Sequence, residues 1–167
     1  MESHVKTIAR TLFVIAAALV CATLIRKWCY RPVTCNVAMT EITAATFASS
    51  DLRGDYQREQ RVETNLARLH ELEPQCRTDV RLYVLMAGNE SIAGRHDSAV
   101  HEYERALTID RRPEIYIEMG NELIQLGRTD DAVESFATAA RFSPGTLDAV
   151  TSEEVARRVR LRLAQKP

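Results

Sequence analysis

Two stretches of the sequence decide the fold, because the second repeats the pattern of the first. They are VRLYVLMAGNESIAGRHDSAVHEYERALTID, from Val80 to Asp110, and PEIYIEMGNELIQLGRTDDAVESFATAARFSP, from Pro113 to Pro144. In register, seven similar pairs are each separated by 33 residues. The pairs are Tyr83 and Tyr116, Met86 and Met119, Ala87 and Gly120, Gly94 and Gly127, Ala99 and Ala132, Tyr103 and Phe136, and Ala106 and Ala139. A period of this length is typical of stacked helical repeats.

Each copy predicts two antiparallel helices joined by a short turn. Small residues such as Ala87 and Ala99 would let the two helices of a copy cross closely. Gly94 and Gly127 stand between the helices, where a left-handed conformation at the end of a helix suits glycine. The first helix of each copy is followed by Asp97 or Asp130, whose negative charge suits the start of the second helix.

This pattern resembles the tetratricopeptide-repeat family. The second copy has matching residues at nearly all of the family's signature sites: Tyr116, Gly120, Gly127, Ala132, Phe136, Ala139 and Pro144. The first copy departs from the family by having Ala87 in place of glycine and no proline before Pro113. The resemblance implies an all-α solenoid of helix hairpins that binds other proteins.

Further helices are predicted on both sides of the two copies. A degenerate helix pair precedes them: Val62, Leu66, Leu69 and Pro74 have the spacing of a second helix, and the first helix is expected near residues 38–52. A final helical stretch, roughly 147–165, repeats apolar residues at Val155, Val159 and Leu163 and is expected to cap the last repeat. Its late cations are expected to face solvent, although they could also bind anionic lipid or an acidic partner.

The N-terminal segment predicts a transmembrane helix. Fifteen uncharged residues run from Thr11 to Ile25, and residues 7–25 are interrupted only by Arg10. A helix of that length nearly spans a bilayer core of about 30 Å. A cationic and aromatic cluster of the kind that lies at a membrane interface follows: Arg26, Lys27, Trp28, Tyr30 and Arg31. The alternative is a signal peptide cleaved after Ala22, which would leave a free domain starting at Thr23.

The predicted organisation therefore has five parts. It runs from a transmembrane signal-anchor (1–27) through a juxtamembrane linker (28–37), a degenerate helical pair (38–78) and two repeats (79–145) to a capping helix (146–167). Two cations precede the apolar run and three follow it, which slightly favours a cytoplasmic repeat domain. The short cationic N-terminus favours the opposite orientation, and the expectation is a repeat domain on the extracytoplasmic, periplasmic side. There, Cys29 and Cys35 could pair with each other, or either could pair with Cys76; three reduced thiols are the alternative.

No motif in the sequence indicates an enzyme. Phosphate-binding glycine loops, nucleophile elbows and zinc-protease motifs are absent, and the cysteine spacings match no zinc, haem or redox motif. His96 and His101 are too far apart on a helix to share a metal ion, so both are expected to have polar roles at the surface. No cofactor and no metal are predicted. The net charge of −1 gives no reason to expect nucleic acid.

The predicted site is a protein-binding surface. In tetratricopeptide repeats the concave face is lined by the first helix of each repeat. Carried over by register, this face would consist of Arg81, Val84, Gly88, Ser91 and Ile92 from one repeat and Glu114, Ile117, Asn121, Ile124 and Gln125 from the next. Only Asn121 fits the cationic and amide pattern of the members that bind chaperone tails. The mixture of apolar and polar residues favours an amphipathic or apolar segment of a partner.

Three functional hypotheses follow. The first is a single-pass membrane scaffold that serves as an accessory or assembly subunit of a larger membrane protein complex and binds other integral membrane subunits. The second is a secreted or periplasmic adaptor released by signal-peptide cleavage. The third is a regulatory domain for a separate enzyme.

Overall fold

The computed structural model describes residues 2–25, 31–50 and 54–165, all of whose regular elements are helical. The chain divides into two units, residues 1–38 and 39–167. The predicted all-α solenoid is confirmed in the second unit. Its helices are α3 (Asp55–Cys76), α4 (Val80–Ile92), α5 (His96–Ile109), α6 (Pro113–Gln125), α7 (Thr129–Phe142) and α8 (Glu153–Ala164).

Helix α1 (Glu2–Ile25) contains the N-terminal apolar run. Its large apolar side chains from Phe13 to Ile25 are exposed, and Phe13 itself is 76% exposed. In the part of the chain that the structure describes, no helix is both long and apolar enough to cross a membrane, so the predicted transmembrane segment lacks support. Of the predicted interface residues, Arg26, Lys27, Trp28 and Tyr30 lie outside the described residues, and Arg31 is the first residue of α2.

Helix α2 (Arg31–Ser50) begins earlier than the sequence indicated. The predicted linker, residues 28–37, is helical from Arg31 onward, and the first helix of the degenerate pair was expected only near residue 38. The second helix of that pair is α3, in which Val62, Leu66 and Leu69 are buried as their spacing predicted.

Helices α4 to α7 form the two predicted repeats, and each repeat turns at a glycine. Gly94 and Gly127 have φ angles of +73° and +72°, which confirms the left-handed conformation predicted for both. At Gly94 the amide of Arg95 donates to the carbonyl of Glu90, and the amide of Gly94 donates to Ser91. These two hydrogen bonds satisfy carbonyls that the end of α4 would otherwise leave unpaired.

Replacing Gly127 by alanine should therefore lower the free energy of unfolding by about 1 kcal/mol, because a Cβ is unfavourable at this φ. No atom lies near the added methyl group, so the loss would come from the backbone alone. Urea unfolding followed by circular dichroism measures it. Gly145→Ala is the matched control, since this glycine also has free space around it and does not have a positive φ. Equal losses in both variants would contradict the explanation.

The helices of the second repeat cross at Gly120. A Cβ built on Gly120 would lie 2.8 Å from the ring of Phe136, which is itself buried on α7. Ala132 is completely buried on the same helix, as is its counterpart Ala99 on α5. These residues are small because the facing helix leaves no room for more atoms.

The C-terminal end is built differently from the predicted continuous helix. A short 3₁₀ helix (Pro144–Ala149) packs on α6 and α7, and α8 begins only at Glu153. Arg158 pairs with Asp130 and Arg162 pairs with Glu134, so residue numbers rise in the same direction along α7 and α8. Helices α3 and α5 are parallel in the same way, with ion pairs between Glu63 and Arg95 and between Glu73 and Arg105. Since α3 and α5 are each the second helix of a pair, α8 occupies the position of the second helix of a further repeat.

The 3₁₀ helix thus stands where the first helix of a further repeat would lie, and α8 caps the core. Val155 and Val159 are buried against the α6–α7 core, and Leu163 packs against it, as predicted. The cations of α8 are largely paired within the chain, because Arg157 also binds Glu154. This pairing argues against the alternative of a lipid-binding cationic surface.

A buried polar network links α2, α3 and α4. The Asn65 amide donates to the Asn89 side-chain carbonyl at 3.0 Å, and the Asn89 amide donates to the Thr46 hydroxyl at 2.9 Å. Asn89 has no exposed surface, so the Asn-Glu-Ser sequence at 89–91 is closed to glycosylation in the folded protein.

The structure shows whether Cys35 and Cys76 are oxidised or reduced. Cys35 and Cys76 are both disulfide-bonded, and both are buried. Cys21 is an exposed free thiol on α1. The alternative in which Cys35 and Cys76 are reduced is therefore wrong for this structure.

Candidate functional site

The ten residues of the predicted concave face lie on α4 and α6, and all of them are at least partly accessible. Leu82 and Met86 are buried on the opposite side of α4, and Ile115 and Leu123 are buried on the opposite side of α6. None of the ten predicted residues is buried: Arg81, Glu114 and Gln125 are exposed, and Val84, Gly88, Ser91, Ile92, Ile117, Asn121 and Ile124 are partly exposed. Two adjacent helices thus present a continuous row of accessible side chains.

Arg81 is held in a fixed position at the start of this face. Its guanidinium donates two hydrogen bonds to the Asp79 carboxylate, through Nε at 3.0 Å and Nη2 at 2.6 Å. Asp79 also caps α4 by accepting a hydrogen bond from the backbone amide of Arg81. The hydrogen bonds from Arg81 lower the pKa of Asp79 more than partial burial raises it.

Asp79→Asn should destabilise the fold by about 0.5–1 kcal/mol at pH 7, because Asn can cap a helix but cannot form the ion pair. The pKa of Asp79 is lower in the folded state, so its contribution is present above the unfolded pKa of about 3.9. It is lost as the pH falls through the folded-state pKa. The difference between wild type and variant, measured by urea unfolding from pH 7 to pH 3, should therefore become smaller in acid. A difference independent of pH would contradict this assignment.

The apolar part of the face is smaller than the sequence suggested. Ile117 and Ile124 pack against the core cluster, which contains residues of α5, α6, α7 and α8, so other parts of the chain cover both side chains in part. The spacing of residues within one repeat does not reveal this packing, because the cluster joins several helices. Val84 and Ile92 complete the apolar part of the face, and both are partly exposed.

A polar cluster behind this face joins the two repeats. The carboxylate of Glu122, on α6, is buried and accepts a hydrogen bond from the Ser91 hydroxyl of α4 at 2.7 Å. Its other oxygen lies 2.6 Å from Nδ1 of His96, the first residue of α5. The expectation that His96 has a role only at the surface is therefore wrong, because its side chain helps to satisfy a buried charge.

Glu122 is not among the residues predicted from the sequence. A signal was available, because Glu122 is seven residues after Ile115 and three after Met119, on the side of α6 that faces the core. A carboxylate at such a position requires partners from neighbouring helices, and Ser91 and His96 provide them. Burial raises the pKa of Tyr103, and the negative charges of Glu118 and Glu122 raise it further.

This cluster does not have the arrangement of a hydrolytic site. In such a site a histidine accepts the proton of the serine hydroxyl, whereas here Ser91 and His96 contact different oxygens of Glu122. Within residues 2–25, 31–50 and 54–165, no three His, Cys, Asp or Glu side chains come together as a metal site. The cluster stabilises the packing between repeats.

Comparison with known proteins agrees with the repeat assignment. Residues 113–146, which include α6 and α7, match the sequence model of the family described as tetratricopeptide repeat. This stretch is therefore similar to one tetratricopeptide repeat. Such repeats generally mediate interactions between proteins.

One solved structure has a fold similar to that of most of this chain. It is the crystal structure of a thermophilic tetratricopeptide-repeat protein of Thermus thermophilus, with a TM-score of 0.64 and 21% sequence identity. The similarity covers 86% of this chain and 67% of the Thermus chain. At that identity the comparison establishes the shared fold alone. A search of curated proteins finds no match.

Proposed function

We propose that this chain is a protein-binding scaffold, not an enzyme, and that it holds a partner on the face formed by α4 and α6. The observation that supports the proposal most is the accessibility of all ten residues of that face, while the other sides of both helices form the core. The binding role general to tetratricopeptide repeats supports it as well.

The residues on this face favour a partner segment with both apolar and polar side chains. Val84 and Ile92 offer partly exposed apolar surface, and Asn121 and Gln125 offer amide groups that can donate and accept hydrogen bonds. Because Arg81 is already paired with Asp79, a partner meets an ordered ion pair and not a free cation. Such a face suits an accessory or assembly subunit that binds an amphipathic segment of a larger complex.

Charge substitutions on matched helices test the site. The double variant Glu114→Lys/Gln125→Lys changes exposed residues of α6, and Glu104→Lys/Thr108→Lys makes the same charge change at exposed residues of α5. In affinity purification of the full-length, tagged protein, the α6 variant should lose the partners that wild type and the α5 variant retain. Equal partner recovery from all three proteins would contradict the proposed face.

A second proposal concerns α1, which we infer attaches the protein to a membrane, as an anchor beside integral membrane partners. The proposal is supported by the uncharged run of Thr11–Ile25 and by the exposure of its side chains from Phe13 onward. Side chains such as Phe13 and Leu19 would gain free energy by leaving water for lipid or for the apolar surface of a partner.

The oxidised cysteines support an extracytoplasmic location for the repeat domain. Disulfides persist in oxidising compartments and are rare in the cytosol, and Cys35 and Cys76 are both disulfide-bonded. Treating intact cells with a membrane-impermeant protease tests the location, because an extracytoplasmic repeat domain should be cleaved. Protection from the protease until the membrane is opened would contradict it.

Membrane fractionation combined with intact mass spectrometry tests the attachment. An attached protein should remain in the membrane pellet after carbonate extraction, with a mass that includes residues 1–22. A chain that begins at Thr23 and is released from the membrane would contradict the anchor and support the alternative of a cleaved, free adaptor.

A further inference from the structure

The two helices of the proposed binding face carry different charge. Helix α6 contains three glutamates and no lysine or arginine, whereas α4 contains one arginine and one glutamate. Both charged residues of α4 are already in ion pairs, Arg81 with Asp79 and Glu90 with Arg95. The charge that a partner meets on these two helices is therefore negative and comes from α6.

The glutamates of α6 stand one helical turn apart, at Glu114, Glu118 and Glu122. Carboxylates four residues apart on a helix repel each other, so this row destabilises α6. Glu122 is buried and has Ser91 and His96 as partners, whereas Glu114 and Glu118 are exposed. The positive end of the helix favours Glu114 in the first turn, but Glu118 lies beyond that turn.

Neither exposed carboxylate is neutralised by a cation of the described residues. Arg112, which directly precedes α6, is paired with Asp110. Arg111 is exposed in the same loop and forms an ion pair with neither Glu114 nor Glu118. A cation from another molecule would reduce the repulsion along α6 without first breaking an ion pair within the chain.

Helix α4 adds an apolar stripe beside these carboxylates. Val84, Gly88 and Ile92 are four residues apart, so they share one side of the helix, and each is partly exposed. The space at Gly88 is open, because no atom lies within 4 Å of a Cβ built on it. The hydrogen bond from Ser91 to Glu122 holds α4 beside α6. A partner's apolar side chain thus has room next to a helix that presents unpaired carboxylates.

We propose that the segment held on this face is cationic and amphipathic, with apolar side chains on α4 and Lys or Arg side chains at Glu114 and Glu118 of α6. The inference rests on the proposed function, to which it adds the charge and the orientation of the partner. An acidic segment would be repelled by α6. A wholly apolar segment would cover both carboxylates without giving them a partner, which costs free energy.

Selection from a library of random short peptides displayed on phage tests the proposal, with the full chain in mild detergent as the target. Peptides enriched at low salt should combine Lys or Arg with apolar residues. A synthetic copy of the most enriched peptide should bind roughly tenfold more weakly to Glu114→Gln/Glu118→Gln than to wild type. High salt should weaken its binding to wild type in the same direction.

Two control variants accompany the selection. Asp97→Asn/Glu104→Gln removes the same charge from exposed residues of α5 and should bind the peptide as wild type does. Gly88→Gln places a neutral polar side chain in the open space on α4 and should weaken binding of any segment on this face, whatever its charge. Circular dichroism checks that each variant is folded.

The outcomes separate this inference from the proposed function. Enriched peptides that are neutral or acidic and that lose binding in Gly88→Gln would overturn the cationic partner and leave the binding face intact. A peptide that binds equally to Glu114→Gln/Glu118→Gln and to wild type would do the same. If no peptide depended on Gly88, Glu114 or Glu118, both the inference and the proposed face would be contradicted.

Discussion

Ala132→Arg is expected to unfold the second repeat. Ala132 is completely buried on α7, where the helix packs into the core around Leu123 and Phe136. An arginine there would have to displace these side chains and bury a charge that has no partner. Overpacking and an unpaired buried charge together should lower the free energy of unfolding by at least about 3 kcal/mol.

Circular dichroism and thermal unfolding would measure the effect. The variant should lose helical signal at 25 °C or melt well below wild type. Ala67→Arg is the matched control, because Ala67 is an exposed alanine within α3 and an arginine there can remain in water. Native helicity and an unchanged melting temperature in Ala132→Arg would show that the repeat register is wrong.

Gly120→Ala should have the second-largest effect on stability, although it adds only one methyl group. The added Cβ would lie 2.8 Å from the ring of Phe136, which is buried and cannot simply move into solvent. Alanine normally stabilises a helix relative to glycine by about 0.5–1 kcal/mol. The overpacking cost of about 1–3 kcal/mol should exceed that gain, so the net result is destabilisation.

Gly88→Ala is the matched control, because it makes the same substitution in a different helix, α4. This glycine is also within a helix, but nothing lies within 4 Å of the added Cβ. The control should be more stable than wild type in urea unfolding, and Gly120→Ala should be less stable. If both variants were stabilised, the helices of the second repeat would be farther apart than the structure places them.

The repeats could be predicted from sequence because their determinants are local and occur twice. Gly94 and Gly127 each end a helix in the same way, and Ala99 and Ala132 each lie where two helices cross. A pattern that recurs after 33 residues fixes both the helices and their order. The same register placed the accessible face on α4 and α6, since exposed positions also recur with the period.

The remaining features depend on contacts between segments that are distant in the sequence, and the 33-residue repeat does not reveal such contacts. Ile117 and Ile124 pack against a core cluster to which four helices contribute, and α8 lies beside α7 with Arg158 and Arg162 paired to acidic residues 28 positions earlier. The early start of α2 has no strong cap or charge pattern to mark it, so the sequence suggested a linker. The spacing of Glu122 puts it on the core-facing side of α6, but its partners Ser91 and His96 belong to other helices and could not be found from that spacing.

Site-specific photo-crosslinking in intact cells tests the central claim most directly. A photoreactive amino acid at Glu114 or Gln125 of α6 is compared with the same group at Glu104 or Thr108 of α5, all four being exposed positions. The proposed function predicts a crosslinked protein of one size from both α6 positions and none from the α5 positions. Crosslinks from α5 alone, or no crosslink from either helix, would contradict a binding face on α4 and α6.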